Sequence, residues 1–202
     1  MKGAGRGVAF LGAVLAGLLL VPTSAAGQAG STERPFAPGG QVRMDLSAAD
    51  YTIEAGQADR IVVRWETRST EDAARVKVDI QRQGSAATIT THGPHNNVRM
   101  VIEVPARTDL HVDLSAGDLK IRGLEGSKDV GSWAGDIDID VGHATDYATA
   151  EASVTAGDLT APAFNVSKSG LFRSFSWRGP GRYTLRVKLT AGNLRLYEAP
   201  AR

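Results

Sequence analysis

The sequence predicts an all-β protein, a β-solenoid-like stack of short strands that turn at repeated small-Gly-Asp corners. Three observations carry that prediction. Apolar and polar residues alternate with a period of two, as in VKVDI (Val76–Ile80), VRMVIEV (Val98–Val104) and LHVDL (Leu110–Leu114), the pattern of strands with one buried face. A short step recurs ahead of such strands as LSAGDL, SWAGDI, VTAGDL and LTAGNL. The one helix candidate, Thr70–Arg75, is long enough only for a turn or a single helical turn. An antiparallel β-sandwich with recurrent turn chemistry remains the alternative.

At the amino terminus, Lys2 and Arg6 precede an apolar run, Val8–Val21, and the small residues Ser24, Ala25 and Ala26. A positive start, a short hydrophobic stretch and a small-residue site describe a secretory signal peptide over residues 1–26, with cleavage near Ala26 or alternatively at Ala29. The run is shorter than the roughly 20 residues of a spanning helix, so no membrane span is expected after cleavage. Residues 27–40, GQAGSTERPFAPGG, have no period and read as a flexible lead-in. Residues 41–202 then form a single all-β repeat domain. Its strands include IVVRW (Ile61–Trp65) and ATITT (Ala87–Thr91), and Pro105 closes the strand that ends at Val104.

The corner glycines are Gly117, Gly135, Gly157 and Gly192, separated by 18, 22 and 35 residues; a weaker copy, LSAADY, has Ala49 in their place. Glycine permits positive φ and close backbone approach, and Asp or Asn can bond the backbone beside it. One tight corner per strand pair fits rungs that stack on one another.

The steps SAGDLKI, WAGDIDI, TAGDLTA and TAGNLRL, with the strand ending at Val104-Pro105 before them, resemble the DUF4097 family of adhesin-like bacterial envelope proteins. The resemblance spans about Pro35 to Glu198. It implies a β-solenoid-like domain outside the cytoplasm, with adhesion, scaffolding or envelope-stress signalling as roles. It supplies no catalytic residue.

The residues themselves offer little chemistry. The chain has no cysteine, so disulfides, thiolate metal sites and a lipidated cysteine are excluded. Neither a nucleophile elbow nor a phosphate-binding loop occurs, and no cofactor is expected. His92 and His95 share the loop THGPHNN with no carboxylate; His111 and His143 stand singly. Asp118, Asp136 and Asp158, with Asn193, would form a ladder if the rungs stack. Its expected role is capping of each turn, with Asp138 and Asp140 facing water. Calcium binding and a carbohydrate-active enzyme built on the ladder are the alternatives. Trp65, Trp133, Trp177, Phe172, Phe175 and Tyr183 are expected to pack, with sugar stacking as the alternative.

Net charge is +1, which argues against a nucleic-acid partner. The charge is uneven, however. Residues 27–167 hold 13 basic and 21 acidic side chains, while residues 168–202 hold 8 basic and one acidic. If rungs stack in sequence order, that separation persists in the fold. Leu171–Trp177 and Arg182–Leu189 read as a hairpin joined at Arg178-Gly179-Pro180-Gly181. Its alternation puts Arg182, Arg186 and Lys188 on one exposed face, joined by Arg195 from the last strand. That face is a candidate dock for an anionic envelope polymer, another envelope protein or the acidic part of a second copy. The functional expectation is an exported, non-enzymatic, adhesin-like binding domain in the periplasm or outside the cell. A soluble component of envelope-stress signalling is the alternative.

Overall fold

The computed structural model describes residues 28–94 and 97–199; the expected signal peptide, residues 1–26, and His95 lie outside the described residues. In chain order the strands begin β1 (Gln28–Pro35), β2 (Gln41–Leu46), β3 (Asp50–Ala55) and β4 (Arg60–Thr67). A one-turn helix α1 (Thr70–Arg75) precedes β5 (Lys77–Gln83), β6 (Ala86–His92), β7 (Val98–Val104) and β8 (Asp109–Leu114). Then come β9 (Leu119–Arg122), β10 (Lys128–Ala134), β11 (Ile137–Asp140) and the long β12 (Tyr147–Ala161). The chain ends in β13 (Val166–Arg178), β14 (Tyr183–Ala191) and β15 (Leu194–Tyr197).

Fourteen strands form one nearly closed, barrel-like path, β1-β4-β7-β3-β9-β11-β15-β12-β14-β10-β8-β2-β6-β5, and β13 pairs with β12. The all-β class is therefore as expected. Ten of the fourteen pairings are parallel, which removes the antiparallel sandwich. Each of β2–β3, β8–β9, β10–β11 and β14–β15 is one strand bent at a corner, and β12 makes the same bend within itself at Gly157. Alternate residues on both sides of each bend point inward. Val112, Leu119 and Ile121, Ile137 and Ile139, Val154 and Leu159, and Leu185 and Leu194 are all essentially inaccessible. Burying one face of these bent strands against the opposite wall is what fixes their register, since a slip of one residue would expose the whole apolar set.

The rungs do not stack in sequence order. Backbone N–H groups of Ala49, Gly117, Gly135 and Gly192 donate to the carbonyls of Ala116, Ala134, Ala191 and Ala156, at 3.0–3.1 Å. The corner order is therefore Ala49, Gly117, Gly135, Gly192, Gly157: the last rung in the chain is inserted between two earlier ones. This arrangement departs from a sequentially wound coil, and the expected persistence of the charge separation falls with it. The glycines are needed because of the stacking. At Gly135, φ is +118° and an added Cβ would run into the carbonyl of Gly117.

Two further expectations are corrected. The lead-in is not loose: β1 lies antiparallel along β4 from Gln28↔Thr67 to Pro35↔Arg60. An edge strand needs no apolar face of its own, and Pro35 sits at its end, where a missing donor is tolerated. The carboxy-terminal hairpin is also not formed, because β12 lies between its two strands, antiparallel to β13 and parallel to β14. The Gly-Pro-Gly turn instead wraps the start of β12, with Gly179, Gly181 and Arg182 N–H groups bonded to the carbonyls of Ala148, Tyr147 and Asp146.

Candidate functional site

The corner ladder forms as the repeat implies. Its carboxylates, however, reach across rungs rather than capping their own turns. Asp118 Oδ1 accepts from the Asp136 N–H (3.2 Å), Asp136 Oδ1 from the Asn193 N–H (2.9 Å) and Asn193 Nδ2 (3.0 Å), and Asn193 Oδ1 from the Asp158 N–H (3.3 Å). Asn193 sits between Asp136 and Asp158 and so separates two like charges. Among the described residues no group of three or more His, Cys, Asp or Glu side chains is placed to hold a metal ion.

At the opposite edge, residues 123–127, 141–146 and 179–182 connect the rungs, and a cleft of about 970 Å³ there is lined by Arg122, Asp140, His143, Asp146, Arg182, Tyr183 and Tyr197 among others. Asp140 was expected to face water; it is buried. Its carboxylate accepts from the N–H groups of Gly142 (2.9 Å), Ala199 (3.1 Å) and Gly123 (3.3 Å), tying three chain segments together. Behind the cleft, Lys128 is fully buried and donates to the carbonyls of Leu124 (2.9 Å) and Gly126 (3.2 Å) and to the Tyr147 hydroxyl (2.8 Å). Burial pushes its ammonium down to about 8, against the pull of Asp140 and Asp109. The sequence carries a signal for Lys128: it is in phase with the inward-facing Val130 and Ser132.

The outer wall formed by β2, β8, β10, β14, β12 and β13 can be read in rows, because strand registers align its outward side chains. One row runs Arg43, His111, Asp129, Arg186, Glu151, Ser176. The next runs Asp45, Asp113, Gly131, Lys188, Ser153, Ser174. On the β2–β10 side the polar side chains are linked to one another: Arg43 bonds Asp113 (2.8 Å) and Asp45 (3.3 Å), and the His111 ring lies 3.1 Å from Asp113 and 3.4 Å from Asp129. On the β14–β13 side basic side chains outnumber acidic ones. A shallow cleft of about 470 Å³ is lined by Arg186, Lys188, Lys168, Glu151, Ser153, Ser174 and Ser176. Arg186 lies 3.8 Å from Glu151, Lys168 donates to the Ser174 carbonyl at 2.6 Å, and Lys188 has no ion-pair partner among the described residues.

The four cations expected on one face are thus split. Arg186 and Lys188 share the wall, and Lys168, whose place on β13 the strand alternation of β14 does not reveal, joins them. Arg182 lies before β14 at the other cleft, its guanidinium 4.8 Å over the Tyr183 ring and donating to the Tyr183 hydroxyl. Arg195 is on β15, beyond the Gly192 corner, stacked 5.4 Å from Tyr197. The aromatics also divide. Trp65, Trp177, Phe175 and Tyr183 pack against the core, whereas Trp133 and Phe172 are 71% and 80% exposed.

A solved structure shares this architecture. A "putative cell adhesion protein" from Clostridium sporogenes superposes with a TM-score of 0.56 at 12% identity, covering 85% of this chain and 100% of its own. The two chains share a fold. A "putative adhesin" from Bacteroides fragilis matches with a TM-score of 0.27 at 7% identity, covering 86% of this chain and 99% of its own, an overlay that adds no weight. No family model matches the chain, and no curated protein does. Among the described residues no helix is long and apolar enough to cross a membrane.

Proposed function

We propose that this chain is an exported, non-enzymatic, adhesin-like binding domain of the bacterial cell envelope, akin to DUF4097 proteins, and that its β14–β12–β13 wall holds an anionic polymer. The observation that carries this reading is the cationic cleft: Arg186, Lys188 and Lys168 line it with Glu151 as the one acid among its lining residues. Serine hydroxyls around the cleft can bond an anion's oxygens. The acids support a binding role over catalysis, since the corner carboxylates and Asp140 accept backbone N–H groups.

Attraction between exposed charges fades beyond a Debye length of about 8 Å at physiological salt. Wild-type protein is therefore expected to be retained on an immobilised polyanion at low salt and released as salt rises. The double variant Arg186→Gln, Lys188→Gln is expected to pass through unretained with an unchanged melting midpoint. Wild-type protein that passes through at the lowest salt overturns the reading.

A further inference from the structure

The positions two residues before Gly117, Gly135, Gly192 and Gly157, continued onto β13 by Phe172, form a third row on the same wall. From its neighbours' registers it runs Ser115, Trp133, Thr190, Thr155, Phe172: Ser132↔Leu189 and Ala134↔Ala191 bracket Trp133 and Thr190, and Val154↔Arg173 and Ala156↔Leu171 bracket Thr155 and Phe172. Two of the three exposed large apolar side chains of the described residues, Trp133 and Phe172, therefore spring from one backbone line, Phe172 from a left-handed φ of +55° that leaves it 80% exposed. They stand three strands apart, about 14 Å at the usual strand spacing, with two threonine hydroxyls between them. Folding gains little from rings left in water, so packing does not account for this pair as it does for Trp65 and Trp177.

Chemistry on either side of that line narrows the ligand. A pyranose ring offers a C–H face that stacks on an aromatic face and a rim of hydroxyls that exchange hydrogen bonds with Thr and Ser. In an extended polysaccharide the rise of one sugar is close to the spacing of neighbouring strands, so a chain lying across the strands meets one rung per sugar. One row in from the line lie Lys188, Ser153 and Ser174, and beyond them Arg186, within reach of carboxylates projecting from such a chain. We infer that the wall binds an acidic polysaccharide laid across the strands, with sugar rings stacked on Trp133 and Phe172 and its carboxylates held by Lys188 and Arg186. This rests on the reading of the wall as a polyanion site and adds the class of polymer.

The test is titration of polygalacturonate, poly-L-glutamate and neutral dextran against wild-type protein, Trp133→Ala, Phe172→Ala and Arg186→Gln/Lys188→Gln. Both aromatic positions are exposed, and unchanged melting midpoints will confirm that the variants fold. Wild type is expected to prefer polygalacturonate over poly-L-glutamate at equal charge. Either aromatic variant should weaken polygalacturonate binding about tenfold, the scale of one stacking contact, while leaving poly-L-glutamate binding unchanged. The double charge variant should lose both. Equal binding of the two polyanions, unaffected by Trp133→Ala, overturns the polysaccharide and leaves the polyanion site standing. Binding of neither at low salt removes both. Self-association that Phe172→Ala abolishes, with no polymer bound, assigns the aromatic pair to a second copy and overturns the inference.

Discussion

Along one edge of the stack, four rungs turn with the same Ala-Gly-Asp or Ala-Gly-Asn step, and the Asp118, Asp136 and Asn193 side chains each accept from the N–H of the neighbouring rung. Along the other edge the connections, residues 123–127, 141–146 and 179–182, share neither length nor sequence. The difference follows from what each edge must do. At the corners a rung always rests on a copy of itself, so one solution serves all of them. At the opposite edge the chain climbs from β11 past the level later filled by β14–β15 to reach β12, then returns from β13. Each of those journeys differs, so polar groups there are satisfied one at a time, by Asp140 and Lys128 rather than by a repeat.

The largest expected effect lies at the corners. Gly135→Ala combines φ of +118° with a collision against the Gly117 carbonyl and should cost about 3 kcal/mol or more. Gly84→Ala, at φ +62° with open space around it, should cost only about 1–2 kcal/mol. Equal losses in chemical denaturation would mean that the corners are ordinary turns. At the connecting edge, Asp140→Ala strands three N–H groups and should cost about 2–3 kcal/mol. Asp118→Ala on the exposed ladder should cost below about 1 kcal/mol, and a reversed order would break the contrast between shared and individual satisfaction.

A smaller effect sharpens the account of Lys128. Its folded pKa of about 8 lies below the unfolded value of 10.5, so the unfolded chain binds the extra proton between those values. Stability should therefore rise as pH increases from 8 towards 10, on the order of 1–2 kcal/mol, and the rise should be absent in Lys128→Met. Tyr51 and Tyr147, both raised by burial, make pH 10 the upper limit of the useful window. Denaturation midpoints that are flat across the window in wild type would show that the ammonium is not held in a low-dielectric site.

The corner edge was legible in the sequence because its geometry demands particular residues: glycine where backbones touch, alternation where one face is buried. Leu185, Val187 and Leu189 are buried and Arg186 and Lys188 exposed as that alternation requires. The order of the rungs was not legible, since every rung presents the same corner and nothing local says which copy lies beneath it. That unknown carried the error at the carboxy-terminal wall. Reading β13 and β14 as a hairpin hid that β12 lies between them and that β14 lies between Asp129 and Glu151. Asp140 escaped because the polar phase of IDID continues to it, while its burial depends on Ala199 and Gly123, far away in the chain.

The insertion of β14 between β10 and β12 is the claim on which the cationic wall depends, and the absence of cysteine allows a direct measurement. Asp129 and Arg186 are Cα partners on neighbouring parallel strands, as are Arg186 and Glu151. Adjacent strands bring Cα atoms about 4.8 Å apart, inside the roughly 4.4–6.8 Å range of a disulfide. The pair Asp129→Cys, Arg186→Cys should close under mild oxidation, and the pair Asp129→Cys, Glu151→Cys, two strands apart, should stay reduced. Closure of the second pair with the first left open would mean that the rungs stack in sequence order, contradicting the fold and the wall built on it.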